Sequence, residues 1–186
     1  MHERQPDRAI LVGRFQPIHN GHIQAIKQIL SETMELVVVV GSAQLSHTLE
    51  NPLTAGERVY MLHEAISSEG LDLSRTFIIT IPDIQFNSVW PAHVRSYAPP
   101  FDVVYTSNPL VTTLFEEVGV KVRHPTMYDR EECSGTNIRR LMLAGDSRWT
   151  KLVPASVAAV LEELQVTQRL RSISKSYEHS NFQPRN

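Results

Sequence analysis

The 186-residue sequence contains one cysteine, Cys133, which excludes an internal disulfide and a zinc site built from several cysteines. It also lacks a long hydrophobic run, since its strongest apolar stretch, "LVVVV", is far too short to span a bilayer. The N-terminal "MHERQPDR" has no apolar core of signal-peptide length. We therefore expect a cytoplasmic protein that binds no membrane.

Neither sign of charge dominates, because the sequence has 18 Lys and Arg residues and 20 Asp and Glu residues, which give a formal net charge of -2. A chain without a large positive excess has no global field that attracts nucleic acid, so no nucleic-acid partner is expected. Any anion site must be local. With 41% hydrophobic residues the chain can bury a core. We expect a single domain over residues 1–186, with a core at about 8–172 and a flexible tail at about 173–186.

Short β-branched runs alternate with longer amphipathic segments along most of the chain. "RAILVG", "LVVVVG", "TFIITIP", "FDVVYT" and "VKVRH" are separated by segments such as "GHIQAIKQILSE" and "NPLVTTLFEEVG". This rhythm is typical of βα units and predicts an α/β fold with a mostly parallel sheet flanked by helices. After residue 134 only helical patterns remain. Ligands of such sheets bind beyond the carboxyl ends of the strands, so polar motifs that follow strands are candidate site residues.

The first such motif is "GRFQPIHNGH", residues 13–22, which follows the apolar run "AILV". We expect a helix capped by Asn20, with His19 and His22 at its first turn. Glycines that permit close approach and the free N–H groups of a helix N-terminus favour an anion, and the imidazoles and Arg14 would add charge-assisted hydrogen bonds. The pattern predicts a phosphate chain as ligand. The spacing alone would also fit half of a metal site or two surface histidines.

The second motif is "SGTNIRR", residues 134–140. Ser134 or Thr136 can cap a helix whose free N–H groups meet phosphate, and Arg139 lies about one turn into that helix. The alternative interpretation is a capped helix with surface arginines.

"GRFQPIHNGH" resembles the G-x-F-x-P-x-H-x-G-H signature of the adenylyl- and cytidylyltransferases related to class I aminoacyl-tRNA synthetases. "SGTNIRR" is similar to their second signature, a Ser-Ser-Thr turn followed by an arginine, with Gly135 in place of the second serine. The segments "GSAQLSHTLENPLTAGER" and "IPDIQFNSVWPAHV" resemble the archaeal-type nicotinamide-nucleotide adenylyltransferases in particular. That branch also uses glycine at this position, and the likeness covers about residues 8 to 172.

The resemblance implies a Rossmann-like fold and the synthesis of NAD and pyrophosphate from ATP and nicotinamide mononucleotide (NMN). In this family the 5′-phosphate of the mononucleotide attacks the ATP α-phosphorus directly, without a covalent enzyme intermediate. Mg²⁺ would be carried on the phosphates, because the sequence shows no dedicated carboxylate cage. A homo-oligomer, often a hexamer in the family, is implied as well. The implied catalytic residues are His19, His22 and Arg139, and the implied ATP or phosphate ligands are Gly13, Arg14, Phe15, Gly21, Ser134 and Thr136.

The middle segments are expected to hold the acceptor and the bases. Ser42 ends a strand in a small-residue turn, where a backbone can approach a ligand, although a bare turn has the same pattern. Asn87 carries a donor and an acceptor suited to a carboxamide. Trp90 can cover a cationic pyridinium, or it belongs to the core. Asn108 is expected to open a helix near the adenosine.

One further candidate lies at the start of a helix. Thr54 and Glu57 have the spacing of a capping box, which is a structural interpretation. Arg58, the next residue, is a candidate to point into the site.

Two alternatives remain open from the sequence. The acceptor could be another phosphorylated molecule, such as nicotinate mononucleotide, phosphopantetheine or flavin mononucleotide. The chain could also be a nucleotide sensor that binds ATP or NAD without turnover. The three candidates His19, His22 and Arg139 argue against a sensor, which has no need of all the leaving-group contacts.

Overall fold

The computed structural model describes residues 7–126 and 132–180, with side chains up to residue 177. Five strands lie in this part of the chain: β1 (Arg8–Gly13), β2 (Glu35–Val40), β3 (Thr76–Thr80), β4 (Val103–Tyr105) and β5 (Lys121–Arg123). The α-helices are α1 (Asn20–Glu32), α2 (Ala55–Ser68), α3 (Trp90–Tyr97), α4 (Pro109–Glu117), α5 (Gly135–Ala144), α6 (Ala155–Glu163) and α7 (Val166–Ser180). The predicted α/β architecture is confirmed.

All strand pairs are parallel, and the order across the sheet is β3-β2-β1-β4-β5. Strands β2 and β3 are added on one side of β1, and β4 and β5 are then added on its other side. The order therefore reverses between β1 and β4. In open parallel sheets this reversal opens a crevice beyond the strand ends, which is where ligands bind.

Both faces of the sheet are covered, because alternate residues of each strand point to opposite sides. Along β2, Leu36, Val38 and Val40 belong to the hydrophobic cluster that also contains residues of α1, α2, α5, α6 and α7. Val37 and Val39 point to the other face, where α3 and α4 cover the sheet. The near-continuous apolar run "LVVVV" is thus a central strand buried on both sides.

The start of α1 differs from the prediction, and Asn20 as its cap is wrong. His19 is the N-cap residue, with an extended backbone, and Asn20 is the first helical residue. The Asn20 side chain instead donates a hydrogen bond to the carbonyl of Lys151, at 2.9 Å. The Asn20 side chain therefore contacts the C-terminal part of the chain, and a histidine occupies the N-cap position.

Three other helix starts agree with the sequence. Thr54 caps α2 and forms a reciprocal capping box with Glu57. Asn108 caps α4 by accepting a hydrogen bond from the amide of Leu110, and Ser134 caps α5. In each case a side-chain oxygen satisfies an otherwise unpaired amide of the first turn.

The C-terminal part is helical, as predicted, and α7 packs back onto the start of α2. Arg169 makes a two-pronged ion pair with Glu57, both contacts at 2.7 Å, and donates to the Pro52 carbonyl. The helix continues to Ser180, so residues 173–180 of the expected tail are helical, while residues 181–186 lie outside the described residues. No helix in the described part of the chain is long and apolar enough to cross a membrane.

Candidate active site

Two neighbouring cavities open where β1 and β4 end. The histidine cavity has a volume of about 320 Å³ and is lined by Arg14, His19, His22 and Arg139 among others. The tryptophan cavity has a volume of about 370 Å³ and is lined by Asn87, Trp90, Asn108 and others. Val12, Arg14, His22 and Ser107 line both cavities. Two compartments joined at an arginine and a histidine suit two ligands that meet at one charged centre.

The two histidines of the first motif form a stacked pair at the start of α1. Their ring centroids are 3.7 Å apart, with an angle of 26° between the planes. The backbone amide of His19 donates to Nδ1 of His22 over 3.3 Å. Because Nδ1 of the neutral His22 ring is then the acceptor, its proton resides on Nε2. Nε2 of His22 is left as a donor for a ligand.

Burial keeps both imidazoles neutral in the protein without ligand. Desolvation lowers the pKa of His19 to about 4. The pKa of His22 is also well below its usual value, mainly through desolvation and further through the neighbouring His19. The rings therefore present N–H donors rather than fixed positive charges, and the permanent cations of the histidine cavity are Arg14 and Arg139.

Arg139 is buried and is held by oxygen atoms of the protein. Its Nε donates to the carbonyl of Leu49 at 2.9 Å and one terminal nitrogen donates to the carbonyl of Gln16 at 2.6 Å. A longer contact of 3.4 Å reaches the hydroxyl of Thr136. Burial and the charge of Arg14 lower the pKa of this guanidinium, which remains a cation. Since a guanidinium has five N–H donors, two stay available for an anion in the cavity.

The contact between Arg139 and the Gln16 carbonyl explains why residue 135 is a glycine. A Cβ atom at this position would lie 2.8 Å from the Gln16 carbonyl oxygen and 3.1 Å from a terminal nitrogen of Arg139. That oxygen belongs to the backbone and cannot turn away as a flexible side chain could. The glycine in the second motif thus lets the N-terminus of α5 approach the loop after β1, where Arg139 is bound.

The tryptophan cavity joins three loops that follow β2, β3 and β4. Ser42 comes after β2 and Asn108 after β4. Asn87 and Trp90 come after β3, and the partly buried Trp90 opens α3. The Trp90 indole N–H is buried and has no hydrogen-bond partner in the described structure. An indole beside an amide, with a donor still unpaired, suits a flat polar ring.

Arg58 does not line either cavity, so the hypothesis that it points into the site is wrong. Its side chain is fully buried and donates to the carbonyls of Arg14 at 3.0 Å, Gly41 at 2.8 Å and Ser42 at 3.1 Å. Burial lowers the pKa of this guanidinium. Arg58 instead joins the two loops that leave β1 and β2, whose residues Arg14, Gly41 and Ser42 line the tryptophan cavity.

The loops after β1 and β2, which Arg58 joins, each contain a residue with a strained backbone. Phe15 has a φ of 50° and Ser42 a φ of 49°, values that side chains with a Cβ rarely adopt. Such residues persist only where the surrounding structure fixes them, and they concentrate at functional sites. Arg58 binds the carbonyls next to Phe15 and at Ser42, so it stabilises both strained turns.

The structure brings together every other candidate from the sequence. The histidine cavity collects Arg14, Phe15, His19, Gly21, His22, Ser134, Thr136 and Arg139. The tryptophan cavity collects Gly13, Arg14, His22, Ser42, Asn87, Trp90 and Asn108.

The sequence did not predict the roles of the Gln16 and Leu49 carbonyls or of Asp83. The carbonyls of Gln16 and Leu49 hold Arg139, and a carbonyl carries no sequence signal. Asp83 lines the tryptophan cavity, and its position four residues before Asn87 in the same loop was the available signal. No group of three or more metal-ligating side chains occurs within residues 7–126 and 132–180.

Comparison with known proteins identifies the family of the chain. A family model described as cytidylyltransferase-like matches residues 10–141. The chain is 52% identical over 168 residues to a nicotinamide-nucleotide adenylyltransferase of Ignicoccus hospitalis, which covers 90% of this chain and 98% of that protein. The enzyme of the same name from Archaeoglobus fulgidus is 52% identical over 170 residues, covering 90% and 97%.

The chain belongs to the cytidylyltransferase-like family, among the nicotinamide-nucleotide adenylyltransferases. The predicted resemblance to the archaeal branch is confirmed. The fold also matches a solved bifunctional NMN adenylyltransferase/ADP ribose pyrophosphatase from Francisella tularensis, complexed with AMP and a manganese ion, with a TM-score of 0.73 at 20% identity. That match covers 92% of this chain and 53% of the larger protein. The Rossmann-like fold predicted for this adenylyltransferase family member is therefore confirmed.

Proposed function

We propose that the protein transfers the adenylyl group of ATP to NMN, giving NAD and pyrophosphate. The observation that carries the proposal is the pair of cavities that share Arg14 and His22. One cavity is lined by cations and imidazoles and suits a triphosphate, and the other is lined by an indole and amides and suits a pyridine nucleotide. The identity of about 50% to relatives named for this activity supports the same assignment.

The reaction asks the protein to align two anions and to stabilise charge. An oxygen of the NMN 5′-phosphate attacks the α-phosphorus of ATP, a new P–O bond forms, and the bond to the bridging oxygen breaks as pyrophosphate leaves. Arg14 lies at the junction of the cavities, where the two phosphates must meet. His22 Nε2–H, His19 and Arg139 line the histidine cavity, where charge accumulates on the leaving group.

The remaining residues of the first two motifs support the triphosphate. Gly13 and Gly21 permit close backbone approach, and Phe15 packs against His22 with ring centroids 4.8 Å apart. Ser134 and Thr136 lie at the N-terminus of α5, whose free amides favour an anion.

The tryptophan cavity is assigned to NMN. Trp90 offers an aromatic face to the cationic pyridinium, Asn87 offers hydrogen bonds to the carboxamide, and Ser42 lies at the turn after β2. Asn108, whose side-chain oxygen caps α4, is assigned to the nucleotide at the β4 end.

Mg²⁺ is proposed to enter with ATP, bound to its phosphates. The described residues offer no cluster of metal ligands, and the carboxylate-poor histidine cavity suits a metal that its substrate already coordinates.

We also propose a homo-oligomer, as a hexamer, in the cytoplasm, with the chain acting as one domain. The family resemblance supports the assembly and the location, and light scattering coupled to size-exclusion chromatography measures the assembly mass directly.

The assignment is tested by incubating the purified protein with ATP, Mg²⁺ and one acceptor at a time, followed by mass spectrometry of the products. The acceptors are NMN, nicotinate mononucleotide, phosphopantetheine and flavin mononucleotide. We expect NAD and pyrophosphate with NMN at the highest rate. Nucleotide binding without any product would instead indicate a sensor.

A further inference from the structure

Asp83 is the only carboxylate among the described residues that line the two cavities. The other charged side chain of the tryptophan cavity is Arg14, at the border with the histidine cavity. The tryptophan cavity therefore has a positive side toward the phosphates and a negative group in the loop that also carries Asn87. This distribution matches a zwitterionic ligand with a phosphate at one end and a cationic ring at the other.

The Asp83 carboxylate is oriented by a neighbouring loop. Gln44 donates from Nε2 to Oδ2 of Asp83 at 3.2 Å, and its Oε1 accepts from the Asp83 amide at 2.9 Å. The amide of Ala43 also donates to the Ile81 carbonyl, so the loops after β2 and β3 are tied together. Two reciprocal bonds from one side chain fix both the backbone and the carboxylate of Asp83. A charge held in this way acts at a defined place in the cavity wall.

We propose that Asp83 determines the choice between the amide and the acid form of the acceptor, an inference that rests on the proposed function. NMN carries a positive ring and a neutral carboxamide, so a nearby carboxylate attracts it. Nicotinate mononucleotide carries an additional carboxylate on the same ring, which Asp83 repels. Asp83 is exposed in the protein without ligand, and like charges at ligand distances near a protein surface change affinity by about tenfold.

Asn87 alone does not make this distinction well. Its side-chain amide has both a donor and an acceptor, so it can pair with a carboxamide, and its N–H₂ group can equally donate to a carboxylate. Discrimination against the acid therefore needs a repulsive group, and Asp83 supplies one.

A competing role for Asp83 is to balance the buried charge of Arg58. The Asp83 charge acts on Arg58 and opposes the lowering of its pKa by burial. The two roles make different predictions. A counter-ion for Arg58 affects the stability of the whole site, and its loss changes the affinity for both acceptors equally. A specificity residue changes the ratio between them.

The test measures calorimetric binding of NMN and nicotinate mononucleotide, and kcat/KM with ATP and each acceptor. We expect the wild-type protein to prefer NMN, Asp83→Asn to reduce that preference about tenfold, and Asp83→Glu to retain most of it. Glu50→Gln is the matched control, because Glu50 is an exposed acid whose charge acts on Arg139 in the histidine cavity. This control removes the same charge and should leave the ratio unchanged.

Gln44→Ala provides a second variant with a milder change, since Gln44 is exposed, lines neither cavity, and holds the backbone amide and the carboxylate of Asp83. We expect an intermediate preference with an unchanged melting temperature. An unchanged ratio in both Asp83→Asn and Gln44→Ala would overturn the inference, as would an equal loss for both acceptors together with a lower melting temperature. Wild-type protein that binds both mononucleotides without forming a dinucleotide would refute the proposed function, and the binding ratios would still decide the inference.

Discussion

At the scale of single residues, the stacked pair of His19 and His22 is held in a defined geometry in the histidine cavity. Each is neutral without ligand, and the His19 amide directs the proton of His22 to Nε2. A neutral donor placed in a desolvated cavity stabilises developing phosphate charge and needs little reorganisation during the reaction.

We predict that His22→Ala or His19→Ala folds normally and loses about two to three orders of magnitude in kcat, the range found when one donor to developing charge is removed. Steady-state kinetics of NAD formation measure the loss. His63→Ala is the matched control, because His63 is exposed on α2, away from both cavities. Turnover close to wild type in both site variants would remove the histidines from the mechanism.

The lowered pKa of His19 predicts a dependence of stability on pH. The folded-state pKa is about 4 and the ordinary value is 6.5, so between these pH values the unfolded chain binds the proton and the folded chain does not. Stability therefore falls as pH decreases from 6.5 toward 4. A shift of this size corresponds to at most about 3.4 kcal/mol.

Urea denaturation at pH 7, 6 and 5 measures this slope, and His19→Asn should make the curve flatter over the same range. An equally steep curve in His19→Asn would assign the pH dependence to other groups. Added ATP should also raise the pKa of the imidazoles, because a bound polyanion favours their protonated form.

At the scale of secondary-structure elements, the site depends on how closely α5 approaches the loop after β1. Helix propensity alone predicts that alanine at position 135 would stabilise α5. The contact with the Gln16 carbonyl predicts the opposite, because a Cβ would lie 2.8 Å from that oxygen.

We predict that Gly135→Ala lowers kcat/KM for ATP at least about tenfold and destabilises the protein by about 1 to 3 kcal/mol, the cost of overpacking. Gly56→Ala is the control: Gly56 lies in the first turn of α2, and no atom comes within 4 Å of a Cβ built there. That variant should keep its activity and its stability, or gain slightly.

A double-mutant cycle identifies the route of the effect. If Gly135 acts by positioning Arg139, then Gly135→Ala should have little further effect on activity in the Arg139→Ala background. Additive losses of activity in the double variant would mean that the glycine supports the fold alone.

At the scale of the whole molecule, the sequence predicts the layers well and the long-range contacts poorly. Alternating βα patterns identify the parallel sheet. The apolar run of β2 is typical of an interior strand, because burial on both faces requires apolar residues throughout. The two motifs identify the cations of the histidine cavity. Local pattern is sufficient for these features.

The sequence fails where a role depends on residues distant along the chain. Asn20 has a side chain suited to an N-cap, yet it donates a hydrogen bond to the Lys151 carbonyl, and His19 is the N-cap residue. Arg58 has the chemistry of a phosphate ligand, yet the strained turns at Phe15 and Ser42 bind it instead. In both cases a contact across the fold overrides a correct local argument.

We propose that ATP and NMN meet at the junction of the two cavities and react directly. The most direct measurement uses ATP labelled with ³²P at the α-phosphorus, with and without NMN, in single-turnover reactions quenched with acid. We expect the label to pass from ATP to NAD only when NMN is present, with no labelled protein at any time. Labelled protein before NAD appears, or no labelled NAD with both ligands bound, would contradict it.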